Sequence, residues 1–258
     1  MERERKEEEH RIAVEKAKNK AKKVFIAIAS VACVCAVFLI LLKTVIIPKQ
    51  RINKIKTANV GDIIVFGTYE QDNDTTNGKE DIEWLVLAKK GNRILVISDK
   101  ALDCQPYNSS RTRVTWETCT LRKWLNNDFI NAAFYAEERA KIPTVTVSAD
   151  SNLKYNTNPG NTTKDKVFLL SIVEAEKYFT SDEARMCIPT EYVISNVSTS
   201  DEYTKDGKAT CWWRLRSPGA LQYYAAKVDF DGDVDEFGID VDYDIGGVRP
   251  ALWITIDG

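Results

Sequence analysis

Apolar and polar positions divide the chain sharply near residue 24. From Val24 to Ile47 the sequence VFIAIASVACVCAVFLILLKTVII carries one charge, Lys43, in twenty-four residues. As a helix this stretch covers about 36 Å, against a hydrocarbon thickness of about 30 Å, and it lacks the polar stripe of a helix packed on a soluble core. It predicts a transmembrane helix. Residues 1–23 mix Glu with Lys and Arg at helical spacings and have few apolar positions, which predicts a solvated helix or a disordered tail. Pro48 stops the span, residues 48–59 form a polar linker, and residues 60–258 carry the short, changing periodicities of one α+β domain.

Within that domain, Asp62–Phe66, Ile82–Ala88 and Arg93–Ser98 are β-rich runs, the last two joined as a hairpin across Lys89-Lys90-Gly91-Asn92. Between the first two lies a loop, Asp72–Asp81, made almost wholly of turn residues. Thr115 opens a helix whose Trp116, Leu121, Trp124 and Leu125 follow the 3.6-residue period. Asn126-Asn127 interrupts it, and Asp128 is the expected cap of a second short helix carrying Phe129, Ala132, Ala133 and Phe134, with residues 136–142 as a further turn or two. Thr144–Ser148 and Val167–Leu170 read as strands. Ser171-Ile172-Val173-Glu174 has the form of a capping box opening a helix to about Phe179, and Thr190 is the expected cap of another. Trp212–Leu215, Gln222–Phe230, Val234–Asp242 and Pro250–Ile256 complete an antiparallel sheet assembled from both ends, with Asp231-Gly232 as a two-residue hairpin turn.

Charge gives the span a direction. Lys16, Lys18, Lys20, Lys22 and Lys23 crowd its N-terminal flank, against Lys43, Lys49, Arg51, Lys54 and Lys56 on the other, and the anionic inner leaflet favours the first group. The apolar run is too long for a cleavable signal and ends in Ile46-Ile47-Pro48 without a small-x-small site, so an uncleaved anchor with a cytoplasmic N-terminus and an extracellular domain is expected. A single span without an internal acid offers no solute path. Net charge is −2, which gives a nucleic acid no basic face to bind.

The one histidine, His10, precedes the span, so the domain has no Ser-His-Asp or Cys-His nucleophile and no His-based zinc centre. Of six cysteines, Cys33 and Cys35 lie in the span. Cys104, Cys119, Cys187 and Cys211 permit two disulfides in three connectivities, or four free thiols. No phosphate-binding glycine loop and no C-x-x-C spacing occurs, and no cofactor or resident metal is expected.

Trp212-Trp213-Arg214-Leu215-Arg216 supplies the candidate ligand-binding residues. On a strand, Trp212, Arg214 and Arg216 share one face and offer an aromatic and guanidinium surface to a sugar or peptidoglycan-like ligand. The other reading has Trp213 and Leu215 in the core and the arginines paired with carboxylates such as Glu191. Tyr223 and Arg249 complete the candidate ligand-binding set. Asp229–Asp244 holds seven Asp and one Glu, but Val234 stands where a calcium loop of the helix–loop–helix type needs Gly, and the alternation of Asp with Val, Phe and Ile predicts a strand with one wet face.

Gly61-Asp62-Ile63-Ile64-Val65-Phe66-Gly67-Thr68-Tyr69-Glu70-Gln71, Ile82-Glu83-Trp84-Leu85-Val86-Leu87 and Thr115–Asn126 resemble the bacterial domain of unknown function 6273. So do Asp165–Ser171, Trp212–Gly219 and Gly247–Leu252, in order, over nearly all of residues 60–256. The resemblance implies a domain commonly carried behind a membrane anchor or secretion signal, with no assigned activity. Ile188-Pro189-Thr190-Glu191 and Gly247-Val248-Arg249 also resemble elements of the C-type-lectin-like fold shared with formylglycine-generating enzymes. Cys187 replaces that family's Arg, and Cys211 stands alone where it has paired cysteines, which argues against its oxidase chemistry. The expectation is a non-enzymatic binding or sensory module, anchored in the lipid bilayer through residues 24–47 and facing a glycan or peptide of the bacterial envelope. The alternatives are a carboxylate-dependent glycan hydrolase and a structural component of an envelope complex.

Overall fold

A computed structural model describes residues 1–42, 46, 47, 50 and 55–256. Lys43, Lys49, Arg51, Lys54 and half of the expected linker lie outside the described residues. The chain divides into two units, Met1–Ile47 and Pro48–Gly258.

The first unit is one helix, α1 (Glu2–Leu41), continuous through the charged tail and the apolar run. Pairs one turn apart, Arg3–Glu7 and Arg5–Glu9 at 3.8 Å and Lys6–Glu2 at 3.7 Å, support its solvated end, so the tail is the helical one of the two expected forms. In the apolar part Ser30 Oγ donates to Ile26 O at 2.9 Å, which satisfies its hydroxyl inside the helix. Phe25, Ile28, Val34 and Phe38 are exposed. Among the described residues this is the helix long and apolar enough to cross a membrane.

The second unit contains strands β1 (Ile63–Tyr69), β2 (Glu80–Lys90), β3 (Arg93–Ser98), β4 (Asp103–Cys104), β5 (Val145–Val147), β6 (Thr163–Asp165), β7 (Val167–Phe168), β8 (Thr199–Lys205), β9 (Lys208–Cys211), β10 (Trp213–Pro218), β11 (Tyr224–Val228), β12 (Val234–Asp240), β13 (Gly247–Val248) and β14 (Ala251–Thr255). The helices described in it are short: α2 (Thr120–Trp124), α3 (Ile130–Ala133), α4 (Ala136–Arg139), α5 (Ile172–Tyr178), α6 (Asp182–Arg185) and α7 (Glu191–Ile194). The class is α+β. Two five-stranded sheets, ordered β1-β2-β3-β14-β7 and β12-β11-β10-β13-β4, replace the single sheet expected. Pairing is antiparallel except for β10 with β13. The last strand, β14, enters between β3 and β7, so both ends of the domain do build the first sheet. One continuous core takes Trp84, Ile94, Ile97 and Leu252 from the first sheet and Trp213, Leu215 and Val228 from the second. The Trp84 indole, fully buried, donates to Phe66 O at 2.6 Å.

Several boundaries differ from the sequence reading for local reasons. The helix expected at Thr115 starts at Thr120, because Cys119 Sγ accepts the Arg122 N–H as its cap. Asp128 caps nothing: residues 125–129 are a π-helical turn running straight into α3. Asn126 drives that widening, since its side-chain amide donates to Arg122 O and Val167 O and its oxygen accepts from Lys166 N and Val167 N. The Ser171–Glu174 capping box forms as expected, whereas Thr190 occupies the cap position of α7 without a side-chain cap bond. The turn between β11 and β12 is the five residues 229–233 rather than Asp231-Gly232 alone, because Val228 pairs with Val234. Gly232 is required there: its φ is +88°, and a Cβ would lie 1.8 Å from Asp182 O.

Candidate functional site

Strand β10 is the middle strand of its sheet and is buried on both faces, which decides the fate of the candidate surface. Trp212 precedes the strand and is 3% exposed, its ring stacked on Tyr243 with centroids 6.5 Å apart. Gly246 leaves the room: a Cβ there would meet the indole at 2.1 Å. Arg216 is buried in a full set of acceptors. It pairs with Glu174 and, at 3.0 Å, with Asp150, and donates to Leu169 O at 2.8 Å and Ser148 O at 3.3 Å. Its carboxylate partners are therefore Asp150 and Glu174, not Glu191. Arg249 is wedged between Phe179 and Trp213, 5.4 and 5.0 Å from the ring centroids, and donates to Ser98 O and Arg185 O. Arg214 donates to Tyr243 O, but among the described residues its Nε and Nη1 have no hydrogen-bond partner, and burial lowers its pKa to about 10. The structure places these four side chains inside the domain.

Tyr223 is the exception and leads to a surface. Its ring lies under the Arg111 guanidinium at 4.5 Å and meets Tyr224 edge-on at 5.2 Å. Tyr224 in turn meets Phe237 at 5.5 Å, and Phe237 meets Tyr155 at 5.9 Å, in a continuous run of four rings. Phe237 is 50% exposed and Tyr155 36%, and Leu221 and Leu153 are exposed beside them in the chain. Polar groups rim the run. Arg111 pairs with Asp240 at 2.5 Å and Lys154 with Glu236 at 3.3 Å, and these carboxylates raise the pKa of both cations.

Buried polar groups hold this apolar surface in place. Asn152, fully buried, donates through Nδ2 to Pro218 O at 3.0 Å and Glu236 O at 2.8 Å, and accepts from Lys154 N and Tyr155 N through Oδ1. Asn152 thus pins the Leu153–Tyr155 turn against strand β12, the outer strand of its sheet. Thr157 Oγ1 adds a bond to Gly219 O at 2.7 Å. On β12 itself, Asp235 Oδ1 accepts from Phe237 N and Gly238 N where the register with β11 shifts, and such a bulge re-aims a side chain. Gly238, at φ +75°, has no room for a Cβ against Ala225 O at 2.3 Å.

Sequence reasoning missed Tyr155, Tyr224, Phe237 and Arg111. A signal existed: apolar residues sit at positions 230 and 234 but at 237, 239 and 241 further on, a change of parity that marks a bulge and puts Phe237 among the acids. Asp229 and Asp235 pair with Lys227, at 2.5 and 3.3 Å, as on a wet strand face.

Among the described residues, the carboxylates that converge in a group of three are Glu70, Asp72 and Glu80. Oxygens of two of them serve the loop: Glu80 accepts from Gln71 N and Asp72 N, and Asp72 from Asp74 N and the Asn77 amide. Burial and the charges of Glu80 and Asp72 raise Glu70, while Asn77 and Asp74 lower Asp72. Two hollows, of about 430 Å³ beside Lys79 and Arg139 and about 370 Å³ beside Lys90, Arg93 and Trp253, are lined by cations and bring no two carboxylates together.

The family model Domain of unknown function (DUF6273) matches residues 91–256. No curated protein and no solved structure matches the chain.

Proposed function

We propose that this chain, which belongs to the family of the domain of unknown function 6273, is a membrane-anchored binding module whose aromatic surface takes a neutral glycan of the cell envelope. One observation carries the reading: four rings in mutual contact, partly open to solvent, are held by a buried asparagine and a bulge rather than by the core alone. Aromatic side chains take up the C–H faces of sugar rings, and Arg111, Asp240, Lys154 and Glu236 stand where hydroxyl groups would need donors and acceptors. The seven Asp and one Glu of residues 229–244 oppose a polyanionic ligand. In this reading α1 anchors the domain, the basic flank at Lys16–Lys23 keeps the N-terminus inside, and the domain faces outward.

A C-type-lectin-like fold is part of the proposal. Its support is that the two motif elements meet at one strand end: Ala101 N donates to Ile188 O at 3.0 Å, and Arg249 Nε donates to Ser98 O at 2.9 Å.

The test uses right-side-out and inverted membrane vesicles carrying the full chain, probed with labelled cell-wall glycan fragments. Right-side-out vesicles should bind, and Phe237→Ala or Tyr155→Ala should weaken binding about tenfold or more. Binding that ignores both substitutions would overturn the surface. Binding by inverted vesicles alone would overturn the placement, and capture of a protein or peptide in place of glycan would overturn the ligand class.

A further inference from the structure

Among the four cysteines of the domain, three donate to backbone carbonyls, Cys187 to Ile188 O at 3.6 Å, and two lie opposite each other on paired backbone. Cys104 Sγ donates toward Asp244 O at 2.5 Å and Asn196 O at 3.1 Å. Cys119 Sγ donates to Trp116 O and accepts from Arg122 N, both at 3.4 Å. Cys187 and Cys211 face one another across an isolated antiparallel bridge, with Cys211 N donating to Cys187 O at 2.8 Å. Residues opposed as such a hydrogen-bonded pair have Cα atoms about 5.5 Å apart, inside the roughly 4.4–6.8 Å span of disulfides. Both are buried as free thiols in this structure, at 1% and 0% exposure. A positive charge accompanies them. The Arg249 guanidinium favours the thiolate form of both, and among the described residues its Nη2 is buried without a hydrogen-bond partner.

We propose that Cys187 and Cys211 form a disulfide in the mature protein, closing the segment that carries α7 and the β8–β9 hairpin, while Cys104 and Cys119 remain thiols. The oxidant is a disulfide, on a thiol oxidoreductase or a small molecule, acting before the hairpin packs. The Cys187 thiolate attacks that disulfide, forms a mixed disulfide and releases one thiol. The Cys211 thiolate then attacks the Cys187 sulfur, forms the internal S–S bond and releases the second thiol. Two S–H bonds of the chain are lost, and the oxidant gains the two electrons and two protons. The in-cell step rests on the outward placement proposed above, because an outward domain meets such oxidants and a cytosolic one does not. The pairing rests on geometry alone.

The full chain, quenched in acid in its own membranes, alkylated before any reduction and digested, should yield a linked pair of peptides holding Cys187 and Cys211, with Cys104 and Cys119 alkylated. A second arm refolds the purified chain in a glutathione redox buffer. Free Cys187 and Cys211 in both arms, or a linkage to Cys104 or Cys119, would overturn the pairing. Free thiols from the membrane with the pair formed in the buffer would overturn the in-cell step and count against the outward placement. Unfolding with strong reductant present should lower Tm by roughly 10 °C, and a Cys187→Ser, Cys211→Ser double variant should start from the lower value and not respond to reductant. An unchanged Tm in the parent chain would count against the cross-link.

Discussion

Strands β10 and β12 lie two places apart in the same sheet and both carry residues that suit a ligand, yet they treat them in opposite ways. On β10, at the centre, Arg214 and Arg216 and the neighbouring Trp213 and Leu215 are all buried. On β12, at the edge, the bulge at Asp235–Gly238 turns Phe237 out to join Tyr224 and Tyr155. A guanidinium in the middle of a sheet becomes part of the architecture because desolvation forces it to find acceptors, whereas an aromatic on an outer strand can stay half-wet at little cost. Within β10 the same pressure gives two results. Arg216 finds two carboxylates and two carbonyls, while Arg214, among the described residues, finds one carbonyl and keeps two unpaired nitrogens.

The largest effect should therefore come from Arg216→Ala. It removes the common partner of Asp150 and Glu174, whose side chains are about a quarter exposed, and leaves the Leu169 and Ser148 carbonyls without their donor. Breaking a buried pair costs about 3–5 kcal/mol, and the partial exposure of the carboxylates puts this one near the lower end, roughly 3 kcal/mol or about 10 °C in Tm. A thermal-unfolding loss under about 1 kcal/mol would break the contrast and return Arg216 to the pool of ligand-binding residues.

An alkaline titration sharpens the same contrast from the buried side. Burial pushes the Cys119 thiol up to about 12 from an ordinary value near 9, and pushes Tyr107 up as well. A folded-state pKa above the unfolded one gives stability that is complete below pH 9 and is lost as pH rises toward 12, because the unfolded chain releases its proton first. Each such thiol contributes a slope of about 1 kcal/mol per pH unit in that window. Chemical denaturation at pH 8, 9, 10 and 11 should show the decline. Cys119→Ala should flatten it in part, and an identical slope in that variant would remove Cys119 as a source.

How much of this was legible in the sequence depended on how local the cause was. The apolar helix, the β2–β3 hairpin and the Ser171–Glu174 capping box follow from a few adjacent residues, and all three are present. The α+β class followed from the same local signals. The π-turn at residues 125–129 did not, since it depends on Asn126 reaching Val167, forty-one positions away. The ligand surface failed for a similar reason. Trp212-Trp213-Arg214-Leu215-Arg216 has the composition of a binding strand, and nothing within it says that β11 and β13 will flank it on both sides. Tyr155 sits in a stretch of Asn and Thr that reads as plain loop, and only Asn152 bonding to Pro218 and Glu236 makes it part of a surface.

The smallest effect on stability, and the most diagnostic for the surface, should be that of Phe237→Ala. The ring is half-exposed and its specific contacts are the edge-on pairs with Tyr155 and Tyr224, so truncation loses a fraction of a buried aromatic, roughly 1 kcal/mol. The backbone bonds of the bulge, from Phe237 N and Gly238 N to Asp235, do not need the ring and should persist. Thermal unfolding of this variant should therefore shift by only a few degrees, against about 10 °C for Arg216→Ala. A shift as large as that of Arg216→Ala would mean that the aromatic run is a satellite of the core, held for stability and not for a ligand. A small shift would leave residues that contribute little to folding yet are held in place by buried polar bonds, which is what the proposed ligand surface requires.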